Sequence, residues 1–163
     1  MKQLLLVLLA LITFSLLVAD TMPDFRLPDM NNQDVSLSDL LGKGPVLIDF
    51  WANWCNPCKQ AMPYLNDLKS TYDSLTVVMI SIDSARDIAR AKNYLRGRNY
   101  DFIGLFDSNR SLADQLNVTN PPHTLILDKE GNIVYTHVGF EPGQERVYAE
   151  KIEELLHHTP DAE

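Results

Sequence analysis

Val46-Leu47-Ile48-Asp49-Phe50-Trp51-Ala52-Asn53-Trp54-Cys55-Asn56-Pro57-Cys58 holds the decisive pattern of this chain. Its first five residues are apolar but for one acid. They follow the break Gly42-Lys43-Gly44-Pro45. A short apolar run bounded by Gly and Pro predicts a fully buried strand. Trp51 to Cys55 reads as a loop, and a helix follows from about Asn56, with Met62, Leu65 and Leu68 on one face. Pro63 inside that helix predicts a kink. The strand therefore delivers Cys55 to a helix start, where unpaired N–H groups and the positive dipole end favour a thiolate. Thiolate, not thiol, is the nucleophile in sulfur exchange. Cys55 is expected partly exposed and Cys58, one turn further in, more buried. The three-residue step lets the two sulfurs bridge. Pro57 suits an early helical position that needs no N–H, and Lys59 adds local positive charge.

The expected chemistry is disulfide exchange: Cys55 attacks a substrate disulfide, and Cys58 then resolves the mixed disulfide. Run backward, the same steps oxidise a dithiol. A structural staple explains the pair poorly, because so small a loop removes little unfolded-state entropy. Zinc asks for four ligands, and the chain offers two Cys and four scattered His. Asp49 is the second candidate, since a lone acid on a buried strand costs free energy unless paired or neutral.

Outward from this stretch, Thr76 to Ile82 reads as a second buried strand and Arg86 to Arg96 as a helix, with Gly97 a candidate C-cap. Phe102 to Phe106 suits a short strand and Ser111 to Leu116 a short helix. Asn120-Pro121-Pro122 stops the chain before the strand His123 to Leu127. Asp128 to Asn132 turns into its hairpin partner, Ile133 to Val138. Glu145 to His158 closes the chain as a helix striped with Tyr148, Ile152, Leu155 and Leu156. Before all of these, Met22 to Asp34 reads as an extended lead-in with a hairpin-like turn, seated by Val35, Leu37 and Leu40. This alternation implies an α/β fold, with parallel pairing first and an antiparallel hairpin last.

The chain has 163 residues, 45% of them hydrophobic, which suits one domain plus a leader. A net charge of -8 and a pI of about 4.9 argue against nucleic acid. Lys2 precedes an apolar run from Leu4 to Ala19, which reads as an export signal over residues 1–19. Leu17 and Ala19 make an imperfect cleavage site, so cleavage and retention as a membrane anchor both stay open. Both cysteines lie in one four-residue stretch, unlike the wide spacing of disulfide-stapled secreted proteins.

Val46 to Pro63 resembles the active-site segment of the thioredoxin superfamily. The Pro23-Asp24-Phe25 lead-in and the α-β connection from about Asp83 to Phe106 resemble its exported TlpA/ResA/DsbE branch, over roughly Pro23 to Leu156. The resemblance implies a thioredoxin-like fold over residues 20–163: a central mixed sheet flanked by helices, with an N-terminal extension and an inserted α-β connection. It implies a protein disulfide reductase working outside the cytoplasm as a monomer, without cofactor or metal. Its clients would be protein disulfides, apocytochromes c among them, and its electrons would come from a membrane donor. It assigns Cys55 and Cys58 to exchange and Asp49 to proton transfer with Cys58. Pro122 matches the cis-proline that grips substrate. Pro121 stands where an N–H is usual, which leaves only its carbonyl for contact, and Pro121 itself is the other candidate for the cis residue. Trp54 flanks the site as a docking aromatic, while Trp51 is expected in the core.

Two departures stand out. Met79 occupies the place of a Lys beside the acid, and Ala61 that of a Glu common in the TlpA/ResA branch. His123 is either a cation near the sulfurs or a surface or edge-strand histidine. A dithiol oxidase or isomerase and a thiol-based metal-binding module are the alternatives. A peroxidase would want Thr at position 52, where Ala52 stands.

Overall fold

The computed structural model describes residues 20–157, so the leader expected over residues 1–19 lies outside the described residues, as does His158. Two short strands, β1 (Arg26–Pro28) and β2 (Asp34–Ser36), form an antiparallel hairpin. A four-residue helix, α1 (Leu37–Leu40), follows, with the Ser36 N–H donating to Asp39 Oδ2 at 2.8 Å. The core unit is β3 (Val46–Trp51), α2 (Asn56–Thr71), β4 (Thr76–Ser81), α3 (Ile88–Arg96) and β5 (Ile103–Phe106). After α4 (Ser111–Gln115) come the hairpin β6 (His123–Leu127) and β7 (Ile133–Val138), then α5 (Gln144–His157).

The main sheet runs β5-β4-β3-β6-β7. β3 is parallel to β4, and β4 to β5, while β6 pairs antiparallel with both β3 and β7. The expected parallel-first, hairpin-last plan is thus found, as a mixed sheet. β3 takes the centre because all six of its residues are buried. Burying each large apolar side chain there contributes about 1.5–3 kcal/mol. β7, at one edge, alternates half-buried and exposed residues. Gly44 is required just before β3, since a Cβ there would lie 2.5 Å from the Ser74 carbonyl oxygen.

Three contacts fix the layers around the site. Tyr72, which ends α2, donates through its hydroxyl to Glu153 of α5 at 2.6 Å, and Tyr64 packs on Phe140 at 5.5 Å. Helices α2 and α5 therefore share one face of the sheet. Lys92 of α3 donates to the carbonyls of Asp29 and Met30 and to Asn32 Oδ1, tying the N-terminal hairpin to the body.

Helix α2 continues through Pro63 to Thr71 without a break. Helix α3 starts two residues later than Arg86, because Ser84 and Asp87 close a turn first: the Asp87 N–H donates to the Ser84 carbonyl at 2.8 Å. Gly97 does cap α3, with a right-handed φ of -74° that any residue could adopt. Among the described residues, no helix is long and apolar enough to cross a membrane.

Candidate active site

Cys55 is the N-cap of α2 and Pro57 occupies its first turn. The Cys58 N–H donates to Cys55 Sγ at 3.2 Å, satisfying one of the donors that a helix start leaves open. The two cysteines form a disulfide, with Cα atoms 5.4 Å apart. Cys58 is fully buried as expected. Cys55 is only 4% exposed, against the expectation of a partly open residue. The reason is the cap itself, which draws its sulfur over the end of the helix. Trp54, by contrast, is 68% exposed and stands beside the disulfide at the surface.

The loop before the pair is held from β4. The Asn53 N–H donates to Asp83 Oδ2 at 2.8 Å, and the Ser81 hydroxyl donates to the same oxygen at 2.9 Å. Asp83 was not singled out in the sequence, where its only signal is an acid directly following a buried strand. Lys59 sits over the Tyr94 ring at 4.7 Å, so its charge is tethered to α3. Trp51 is fully buried against Tyr94, as expected of a core residue.

The Pro121–Pro122 bond is cis, so Pro122 is the cis residue and Pro121 is not. The Pro122 carbonyl accepts from the Gly139 N–H at 2.8 Å. No hydrogen bond among the described residues ends on the Pro121 carbonyl. Pro57, Pro121, Pro122, His137, Phe140 and Gln144 line one groove of about 510 Å³. It joins the start of α2 to the proline turn, so sequence-distant candidates meet there. Trp54 does not line it.

Asp49 is fully buried on β3, between Met79 of β4 and Thr124 of β6, its register neighbours. The Thr124 hydroxyl donates to Asp49 Oδ1 at 3.0 Å, and the Tyr148 hydroxyl of α5 donates to Thr124 Oγ1 at 3.2 Å. Burial pushes the Asp49 carboxyl up to about 7, and the Thr124 bond works against that rise. Since Tyr148 reaches Thr124 from α5, Asp49 lies on the sheet face that α2 and α5 cover. Ala61 and Met79, the two departures, are both buried.

His123 fits neither expectation. It lies on β6, flanked by strands on both sides, and packs edge-on against Phe50 at 6.5 Å. Burial, then the charge of His137, holds it below the usual histidine range, so it is neutral rather than a cation near the sulfurs. His137 stacks on Tyr135 and meets the Tyr148 ring at 6.2 Å. No group of three or more His, Cys, Asp or Glu among the described residues is placed to hold a metal.

Residues 17–152 match the Redoxin family. The chain is a member of that family. It is 31% identical over 117 residues to the thiol-disulfide oxidoreductase ResA of Bacillus anthracis, covering 72% of this chain and 67% of that protein. It is 39% identical over 119 residues to the thioredoxin-like protein YneN of Bacillus subtilis (strain 168), covering 72% and 69%. Among solved structures, a Chlorobium tepidum protein described as a thiol:disulfide interchange protein DsbE superposes with a TM-score of 0.78 at 31% identity, over 85% of this chain and 96% of that one. The exposed lipoprotein thioredoxin Etrx1 of Streptococcus pneumoniae (strain TIGR4) gives 0.68 at 29%, over 82% and 100%. The fold is thioredoxin-like, and the resemblance read from Val46 to Pro63 and from the lead-in holds. This Redoxin-family chain is a thioredoxin-like thiol–disulfide oxidoreductase of the disulfide reductase kind, and Cys55 and Cys58 are its disulfide pair.

Proposed function

We propose that the protein is exported by residues 1–19 and reduces protein disulfides outside the cytoplasm. The observation that carries this reading is the Cys55–Cys58 disulfide at the N-cap of α2, whose first turn shares a groove, through Pro57, with the cis-proline turn. In the reduced protein the Cys55 thiolate attacks one sulfur of a client disulfide. A bond forms from Cys55 Sγ to that sulfur, and the other client sulfur leaves as a thiolate. The Cys58 thiol then passes its proton to Asp49 and attacks Cys55 Sγ, releasing the second client thiolate. The client gains two electrons, and the protein is left in the disulfide state described here. Trp54, Pro121 and Pro122 border the client chain, with the Pro121 carbonyl as the open backbone acceptor. A membrane donor outside the cytoplasm restores the dithiol, and the chain works as a monomer.

Cys58→Ser tests the reading. Its mixed disulfide through Cys55 cannot resolve, so the variant should retain clients on a non-reducing gel of an extracytoplasmic extract. Mass spectrometry then names them, apocytochromes c being one class to look for. A Cys55→Ser/Cys58→Ser control should retain none. If Cys58→Ser retains nothing more than that control, client reduction by exchange is wrong. Direction is read separately from the potential of the pair: a reductase should lie near thioredoxin, about -270 mV, and a value near -120 mV would instead mark an oxidase.

A further inference from the structure

Asp49 must be a carboxylate at the moment Cys58 gives up its proton, yet complete burial favours the neutral acid. Something on this face has to oppose burial. Met79, its neighbour on β4, offers no proton and no charge. No salt bridge among the described residues reaches Asp49. Thr124 supplies the one hydrogen bond to its side chain among the described residues, and it engages Oδ1 alone. Asp49 Oδ2 is buried with no partner among them.

We propose that Thr124, oriented by Tyr148, is the positioning residue that keeps the Asp49 carboxylate available and assigns its two oxygens different tasks. Oδ1 is anchored by the Thr124 hydroxyl, and Oδ2 is left open to take the proton of Cys58. A hydroxyl has one proton. Donating it to Asp49 leaves the Thr124 oxygen to accept, and the Tyr148 hydroxyl donates to it. Tyr148 is buried and held far above the usual tyrosine range, chiefly by desolvation, so it stays a donor at every working pH. Two donors in series thus point toward the acid, which favours its charged form. The other titratable groups against this line are Tyr135 and His137 of β7, whose rings pack on Tyr148, and Glu145 of α5, whose charge also holds Tyr148 up. Thr124 lies two residues after the cis-proline that lines the groove, so this stretch of chain borders the groove and anchors the acid. This proposal rests on the reading of Asp49 as proton acceptor.

The test uses the full-length reduced protein and 5,5′-dithiobis(2-nitrobenzoate). Attack by Cys55 releases a first coloured thiolate, and resolution by Cys58 releases the second, so stopped-flow absorbance separates the steps. The first phase is the internal reference. The rate of the second phase is followed from pH 5 to 9. Losing a hydrogen bond to a charged group should move the midpoint of Thr124→Val upward by about one pH unit, making resolution about fivefold slower at pH 7 and about tenfold slower at pH 5. Thr124→Ser, which keeps the hydroxyl, should stay within about twofold of the parent. Tyr148→Phe should shift the midpoint in the same direction but less, and it carries the test should Thr124→Val not fold. In an Asp49→Asn background Thr124→Val should have no further effect. If Asp49→Asn slows the second phase while Thr124→Val or Tyr148→Phe leaves the midpoint in place, the role of Thr124 is refuted and that of Asp49 stands. If Asp49→Asn leaves the second phase unchanged, both fail.

Discussion

Replacing Asp49 by Asn should raise the stability of the folded protein relative to the parent progressively as pH rises. In the folded chain burial holds the carboxyl at about 7, against an ordinary value of 3.8. Unfolding returns the group to water and to its ordinary value. Between the two values the folded chain keeps a proton that the unfolded chain has lost. Stability therefore falls with rising pH across this window: the acid costs nothing below about pH 4 and its full penalty above about pH 8. A displacement of about three pH units, at 1.36 kcal/mol each, amounts to about 4 kcal/mol. Some 2.5 kcal/mol of that, roughly, falls between pH 5 and pH 8. Asn has the same shape and does not titrate, and its carbonyl oxygen can accept the Thr124 bond. Its buried amide hydrogens cost about 1–3 kcal/mol, but by the same amount at every pH. The assay is urea unfolding of the oxidised parent and variant at pH 5, 6, 7 and 8. All other titrating groups are common to the two chains and cancel in the difference. The variant should gain about 2.5 kcal/mol on the parent from pH 5 to pH 8, at equal m-values. A difference that stays flat across this range would refute the assignment of a raised proton affinity to Asp49.

The same acid shows where sequence stops and structure begins. β3, the helix after it and the β6–β7 hairpin were legible because each is marked locally, by an apolar run, by Gly and Pro, or by a turn cluster. The bounds of β6 and β7 match the expectation at both ends. Helix α1 was not seen, since four residues give no periodicity to read. What surrounds Asp49 was half legible. Met79 could be placed beside it by resemblance, but Thr124 is 75 residues away, and only the β3–β6 register brings its hydroxyl to the acid. Asp83 is 30 residues from the Asn53 N–H it accepts. His123 departs from its expectations for a related reason: a five-residue strand pattern does not reveal that the strand lies between two others. Local pattern thus placed the sulfurs, while cross-strand pairing decided their electrostatic setting.

The remaining predictions probe two supports of the site. Lys92→Ala should cost about 2–3 kcal/mol in urea unfolding, because a nearly buried ammonium with three oxygen partners is lost. The potential of the cysteine pair should be unchanged, and a shift in potential without loss of stability would refute a purely structural clamp. Met79→Lys should move the midpoint of Cys58 resolution downward by about 1–3 pH units, since an ammonium on the neighbouring strand favours the Asp49 carboxylate. Carboxyl carbon NMR of Asp49 should shift in step with the kinetics. This substitution pushes opposite to Thr124→Val while leaving Thr124 in place. A midpoint that follows both, in opposite senses, can only belong to the group they share. A midpoint that ignores Met79→Lys while the NMR titration moves would mean that the kinetic limb is the thiol of Cys58 and not Asp49.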